Sequence, residues 1–565
     1  MSDWKDAYNY RVVPAIVLIF FANVLPGIAF SLDLIETTEQ YGVAEVLLSS
    51  FMAAFIFSVF GAQPLCIAGV TGPITVLNKT IFDLTQRGDP ATRPNYLHLV
   101  GWVYLWAAIF HWITAILNWC NFLRYVTLFS CDIFGFYVSW VYLQYGVQVV
   151  TRQFVSAPSE NGPFVGIILA LLMLITSFLF RSLSQTTFFH RHVRRFLADY
   201  GMPISLVASS AMAYWGRFNA ANPSTLPVNG AFQPAGGRQW LVRFWQLDGK
   251  WVGIAFPFGV VLWVLFFFDH NVSSLMAQGT QFPLRKPPGF HHDFFLLGIT
   301  TFIAGLIGVP APNGLIPQAP IHTTSLLVMG RPFKDDKEEA VPASRAGTAT
   351  PGSVSKGKEA ASGTDNQMRI RSASPNVTAR PESLDNEHNH GHIFHDPEPP
   401  LDPATVDRHE VPIAVVEQRL SNLAQGALCL VLLSKPFLHI LHLIPRGVLA
   451  GLFWYMGADA LEGNGITQKI FYFFRDKSLM SPYDPLHKVR KSRVLLFVVA
   501  QLIGFGAAFA ITQTQAAIGF PIVVFLLVPV RTYLIPRLPL TPEELATLDG
   551  PTASSFTMMS VGGSA

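Results

Sequence analysis

The sequence predicts an all-α polytopic membrane protein, and three observations predict it. Of 565 residues, 51% are hydrophobic and only 13% are charged, with a mean hydropathy of +0.37; a soluble domain carries about a quarter charged residues. Apolar runs of roughly 18 to 25 residues recur, the length that crosses about 30 Å of hydrocarbon. Many of the charges gather near residues 331–411 instead of spreading over a solvated surface.

The runs place spans near 12–32, 43–61, 64–84, 96–118, 126–148, 163–181 and 200–216. A polar loop rich in Pro, Gly and Asn follows. Further spans fall near 251–277, 291–309, 310–329, 411–433, 437–458, 493–513 and 517–536, giving about fourteen. The opening stretch MSDWKDAYNYRVVP has no short apolar core ahead of a small-residue cleavage site, so the first span is expected to be retained. With the N-terminus inside, Lys5, Arg11, Arg124, Arg181, Arg191, Arg194, Arg195, Arg285, Lys286, Lys469, Arg475, Lys477, Lys488, Arg490, Lys491 and Arg493 fall on the inner side. Arg87, Arg93, Arg152, Arg217, Arg238, Arg243, Lys250 and Lys435 stay outside. That bias favours fourteen spans with both termini cytosolic.

The net charge of +3 is too small to suggest a nucleic-acid partner. Cys66, Cys120, Cys131 and Cys429 lie in or beside apolar spans and read as small core residues, neither a disulfide framework nor a metal cluster. Residues 331–410, rich in Ser, Pro and Gly and poor in large apolar side chains, are expected to form a disordered cytosolic insert. Its HNHGHIFH stretch, with His388, His390, His392 and His395, reads as solvated low complexity, since no Cys or carboxylate spacing fixes a metal. Asn376 heads an NVT sequon on the wrong side for glycosylation, and RSASP around Ser372 and Ser374 is a weak kinase signal.

Two spans are interrupted. GAQPLCIAGVTGPITV breaks the third, and GVPAPNGLIPQAPIHTTSLLV breaks the third span of the second half. Matched interruptions in two halves point to an inverted-repeat transporter with its site at the breaks. Irregular backbone at membrane depth survives only against protein or a water-filled cavity, so the two breaks are expected to face each other. A half-helix beginning near Gly72 or Ala319 presents free N–H groups and about half a positive charge, and Pro73 and Pro320 suit its first turn. Two such termini make an anion site without a buried Lys or Arg. The bland reading, that Pro and Gly only kink membrane helices, suits one break better than two.

Asp269, in LFFFDHNVSSLMA, lies inside the eighth span, where a carboxylate defaults to a functional role. His270 beside it points to another helix face and implies no relay. His111, His439 and His442 read as packing or interfacial histidines. No HExxH, Walker loop or nucleophile elbow is present, so no enzyme activity, metal or cofactor is expected.

GAQPLCIAGVTGPITV, FFDHNVSSLM, GVPAPNGLIPQAPIHTTSL, VVEQRLSNL and IPRGVLAGLFWYMGADAL, in this order, resemble the bicarbonate/anion-exchanger transporter family and specifically its fungal and plant borate transporters. The resemblance implies 7+7 inverted repeats with broken helices 3 and 10. Spans 1–4 and 8–11 would form a core domain; spans 5–7 and 12–14 would form a gate domain that makes the homodimer contact. In this sequence the parts would be a cytosolic N-terminus 1–11, core 12–118, gate 119–216, an extracellular loop 217–250, core 251–330, the insert 331–410, core 411–435, gate 436–536 and a cytosolic tail 537–565.

By position, the substrate site would involve Thr71, Gly72, Pro73, Asp269, Gln318 and Ala319, with Asp269 coupling protons. Chloride/bicarbonate exchangers carry an arginine where Gln318 stands; the borate branch resembles Pro317, Gln318, Pro320, His322 and Thr323 as found here. The animal exchangers' large N-terminal cytosolic domain has no counterpart ahead of the first span, which removes the basis for expecting their cytoskeletal partners. The expectation is a secondary active transporter in the lipid bilayer that exports borate or boric acid across the plasma membrane, with protons and an elevator-like motion. The alternative is a bicarbonate or other inorganic anion exchanger of the same fold. A second residence in the vacuolar membrane is left open.

Overall fold

A computed structural model describes residues 2–87, 92–156, 159–183, 186–330, 411–476, 485–514 and 516–562. The expected insert at 331–410, with its histidine tract, sequon and serine sites, lies outside the described residues.

After a short α1 (Ser2–Lys5), the chain forms α2 (Val12–Thr38) and α3 (Val43–Phe60). A two-residue strand β1 (Ala68–Gly69) precedes α4 (Gly72–Gln86) and α5 (Tyr96–Ile116). Then come α6 (Leu128–Ser156), α7 (Gly162–Leu183), α8 (Arg191–Met212) and a single turn, α9 (Arg217–Ala220). The second half opens with α10 (Gly249–Ala277) and α11 (Phe290–Ile307), followed by β2 (Asn313–Gly314), α12 (Gln318–Ser325) and β3 (Leu327–Gly330). It continues through β4 (Val411–Val415), α13 (Leu420–Leu432), α14 (Lys435–His442), α15 (Arg446–Glu462) and α16 (Gly465–Phe474). Last are α17 (Lys491–Thr512), α18 (Phe520–Pro529), α19 (Pro542–Leu548) and α20 (Ser555–Met559).

Among the described residues, eight helices are long and apolar enough to cross a membrane, or nine if α13 and α14, bent by 83°, count as one. The fourteen expected is not reached on that criterion, for two physical reasons. At about 1.5 Å per residue, the 15 residues of α4 and the 8 of α12 rise only about 22 and 12 Å. Helix α15, at 17 residues, is also short, and α6 dilutes its apolar run with polar side chains such as Asp132, Gln148 and Arg152. Helix α7 shows how apolar side chains face outward. Phe164, Ile168, Leu171, Ile175 and Leu179 form an exposed apolar stripe, while Val165, Leu169 and Met173 are buried on the other face. A helix apolar on both faces belongs in a bilayer.

Three expectations are corrected. The fold is not wholly helical: β1 pairs with β2 and β3 with β4, both antiparallel, where Pro and Gly interrupt the helices. The span expected at 411–433 begins as β4, which pairs with β3, and turns helical only at Leu420. The span expected at 437–458 is two helices, because Pro445 cannot donate to the ladder and α15 restarts at Arg446. Helix α16, with polar Lys469, lies between expected spans and was not foreseen.

Packing groups the helices. α5 lies against α10 and α11, and α13 against α2 and α3; α15 lies against α6 and α7, with α17 also on α6. The C-terminal tail is tied to α6: Asp549 Oδ1 accepts from Phe129 N at 2.8 Å and Oδ2 from Arg531 Nε at 2.7 Å.

Candidate functional site

The two interrupted spans meet. Ala68 pairs with Gly314 and Gly69 with Asn313, and Leu315 N donates to Ile67 O at 3.1 Å. The pairing satisfies backbone groups that the broken helices could not satisfy themselves. Because the ladder is antiparallel, the chain leaves it towards α4 at one end and towards α12 at the other. Both helices therefore run away from a shared centre, with their N-termini nearest to it. Thr71, in extended conformation, caps α4, and Pro73 sits in its first turn. Gln318 opens α12, with Ala319 and Pro320 behind it.

Glycine is required at one of these positions and gives close packing at another. A Cβ at Gly314 would lie 2.8 Å from the backbone Cα of His270, so β2 lies directly on α10. A Cβ at Gly72 would lie 3.2 Å from the rings of Phe30 and Tyr142.

Asp269 stands where α10 crosses this ladder and is buried. Its Oδ2 accepts from Thr71 Oγ1 at 3.1 Å and from Asn313 Nδ2 at 3.0 Å, so one carboxylate joins α10 to both interrupted segments. Asn313 in turn accepts at Oδ1 from Gly314 N at 2.8 Å. A buried carboxylate holding two donors is far better satisfied than a lone one.

Gln318 donates through Nε2 to Ala22 O of α2 at 3.2 Å, while its Oε1 is buried without a partner among the described residues. α12 is held from behind. Thr323 Oγ1 donates to Ala277 O at 2.9 Å, and His322 Nε2 lies 2.6 Å from Ser421 Oγ. A further polar chain runs from Asn23 through Gln425 and Asn422 to Cys66 O, each link 3.0 to 3.2 Å. It ties α2 and α13 to the approach to β1.

A cavity of about 1170 Å³ reaches this region. Its wall includes Ala22, Pro26, Tyr142, Pro317, Gln318 and Pro320, and residues from both ends of the chain, Tyr10, Arg11, Thr547 and Leu548. Of the six expected site residues, only Gln318 is on the cavity wall. Thr71, Gly72, Pro73, Asp269 and Ala319 are buried behind it. The structure therefore brings the six into one region and puts one of them, Gln318, itself largely buried, on the cavity wall.

Sequence reasoning missed Asn313, Ala22 and Tyr142. Asn313 lies inside the second interrupted stretch, where nothing local marks its amide as a partner for Asp269. Nothing in the sequence marks the Ala22 carbonyl or Tyr142. His270, not assigned to a relay, has neither ring nitrogen hydrogen-bonded among the described residues and lies against Phe57 with ring centroids 5.3 Å apart.

Lipid-facing helices around two interrupted ones, meeting at a buried carboxylate beside a deep cavity, define a polytopic membrane protein of the transporter class. The chain belongs to the family described as HCO3- transporter integral membrane domain, which matches residues 1–162, 144–341 and 407–553. A Schizosaccharomyces pombe relative is 41% identical over 97% of this chain and 92% of its own. Boron transporter 1 of Saccharomyces cerevisiae is 37% identical over 99% of this chain and 84% of its own. The human Band 3 anion transport protein is more distant, 23% identical over 98% of this chain and 55% of its own. The expected family and its fungal borate branch thus hold. Among solved structures, the transmembrane domain of the cyanobacterial bicarbonate transporter BicA matches with TM-score 0.50 at 14% identity, over 87% of this chain and 96% of that one. SLC26A9 also matches with TM-score 0.50, at 13% identity, over 94% of this chain and 67% of that one. Both likenesses concern the fold.

Proposed function

We propose that this protein is a secondary active transporter that exports borate or boric acid across the plasma membrane, with proton coupling and an elevator-like alternating-access motion. The observation that carries the reading is the position of Gln318: a neutral amide on the cavity wall at the start of a half-helix, whose buried carbonyl oxygen has no partner among the described residues. Boric acid and borate present hydroxyls that would donate to that oxygen. The N–H groups of the first turn and the helix dipole favour a negative ligand without adding a fixed charge.

Asp269 is the proton-coupling group in this reading. Its carboxylate bridges both interrupted segments, so a change in its charge would alter the bonds that hold the ladder in place. Thr71, Gly72, Pro73 and Ala319 shape and support the substrate position. The fourteen-span inverted repeat and the core and gate domains belong to the same proposal. Packing of α2, α3 and α5 with α10, α11 and α13, and of α6 and α7 with α15, supports that partition. A homodimer through the gate domain and cytosolic termini complete it; residues near both ends of the chain line one cavity, in keeping with their lying on the same side.

The test is reconstitution into sealed vesicles. Boron efflux measured against chloride and bicarbonate flux, with and without a pH gradient, should show boron movement that depends on the gradient. Bicarbonate or chloride exchange without boron movement would select the anion-exchanger alternative.

A further inference from the structure

The face that α2 turns towards α6 changes character along its length. Pro14, Leu18, Ala22 and Pro26, each one turn further on, line the large cavity; Phe30 and Asp33 continue the same stripe beyond it. α6 does the same. Asp132, Gly135, Ser139 and Tyr142 line the cavity, and Tyr145, Val149 and Arg152 carry the stripe on.

Past the cavity the space between the helices is filled twice. Aromatic rings come first: the Phe30 centroid lies 5.5 Å from that of Tyr142, 6.1 Å from Tyr145 and 5.3 Å from Phe453 on α15. Charges come next. Arg152 Nη1 donates to Asp33 Oδ1 at 2.7 Å and to Glu36 Oε2 at 3.0 Å. Arg446, the first residue of α15, donates through Nη1 to the other Glu36 oxygen at 2.8 Å.

We infer that Asp33, Glu36, Arg152 and Arg446 form an ion-pair clasp that holds the passage shut at the end away from the chain termini, and that the site opens to that face only when the clasp parts. This rests on the transporter reading above, since only a transporter needs the second opening. Three features carry it. Both carboxylates belong to α2, while the two guanidinium groups belong to α6 and α15, so the clasp ties together helices that the proposed motion separates. The Asp33 side chain is fully buried and that of Glu36 is 11% exposed, against 26% for Arg152 and 19% for Arg446, so bulk salt screens the pairs only in part. Asp33 Oδ2 has no partner among the described residues, so the closed state leaves part of that carboxylate's hydration uncompensated. A closed state with that defect is one that water entry can compete with.

The test reads accessibility, not flux. Cys131 lines the cavity and reports on the face bearing the termini. Val149→Cys, between Tyr145 and Arg152 on α6, reports on the opposite face, and Ala107→Cys, buried in α5, is the control for general loosening. A membrane-impermeant maleimide is applied to each face of sealed vesicles in turn. The variant combines Asp33→Asn, Glu36→Gln, Arg152→Gln and Arg446→Gln, which removes all four charges of the clasp and leaves none buried alone. The expected result is at least ten-fold faster labelling of Val149→Cys from the far face, slower labelling of Cys131 from the near face, and no labelling of Ala107→Cys. Ten-fold corresponds to about 1.4 kcal/mol in the conformational equilibrium. Arg152→Lys, which keeps the ion pair, should protect Val149→Cys as the parent does. Protection of Val149→Cys in the four-site variant would overturn the clasp, and so would labelling of Ala107→Cys alongside it. Boron efflux by the parent, measured in the same vesicles, is a separate readout: its failure removes the borate reading and leaves the accessibility result standing.

Discussion

Asn313 donates its side-chain amide to the carboxylate of Asp269 at 3.0 Å, across 44 residues of sequence and from β2 to α10. The same oxygen of Asp269 accepts from Thr71, 198 residues away, so one atom holds both interrupted segments against the helix that crosses them.

Asp269→Asn keeps shape and removes charge. If Asp269 couples protons, the variant will reach the membrane and fold, yet transport poorly or lose its pH response. Boron efflux per surface-localised molecule at two pH values checks this. A normal rate with a normal pH response would remove Asp269 from the mechanism.

Asn313→Leu takes away one of the two donors and leaves a buried carboxylate under-satisfied. The expected loss is about 1–3 kcal/mol of stability, since a buried polar group without its partner costs that much. Thermal unfolding in detergent measures it, with Asn271→Leu, on the next residues of α10 but not bonded to Asp269, as the comparison.

Gly314→Ala should destabilise by about 1–3 kcal/mol, because the new methyl meets the fixed backbone of His270 at 2.8 Å and cannot be accommodated by a rotamer change. Gly506→Ala on α17 meets nothing within 4 Å and should be neutral or stabilising. Equal melting temperatures for the two variants would contradict the close approach of β2 to α10.

Gln318→Arg adds a fixed positive charge to the cavity wall where a neutral amide stands. The ratio of boron flux to chloride flux should fall at least ten-fold. An unchanged ratio would mean that position 318 does not set selectivity.

A pH effect is expected at the N-terminus. Burial acts to raise the pKa of Asp3, but hydrogen bonds from Lys286 and Arg419 outweigh it and hold the carboxyl well below its ordinary value of 3.8. A depressed carboxyl stabilises the fold above its unfolded pKa and loses that contribution as pH falls through the folded one. The stability gap between parent and Asp3→Asn should therefore be constant from about pH 8 to 5 and shrink below about pH 4. At this partly exposed site it should not exceed about 1 kcal/mol. A gap that closes between pH 8 and 6 would contradict the assignment.

The membrane class, the two interruptions and the buried carboxylate were all legible in the chain, because each has a local cause. Apolar length is a property of one run. Pro64, Pro310, Pro312 and Pro317 lie in the stretches that leave the helix, Pro73 and Pro320 suit the first turns that follow, and Asp269 is conspicuous wherever its apolar neighbours fold. What needed the tertiary structure depended on partners distant in sequence. The pairing of Ala68 with Gly314, the donation from Asn313 to Asp269, and the meeting of Asp33 and Glu36 with Arg152 and Arg446 have no signature in any single segment. The division at Pro445 and the strand at Val411–Val415 were read as spans because apolar length alone does not distinguish a lipid-facing helix from one that stops and turns inside protein. Local sequence chose which segments break and which residue types stand at the breaks; long-range hydrogen bonding decided which of them meet, since a buried backbone or carboxylate is stable only where another part of the chain supplies its partner.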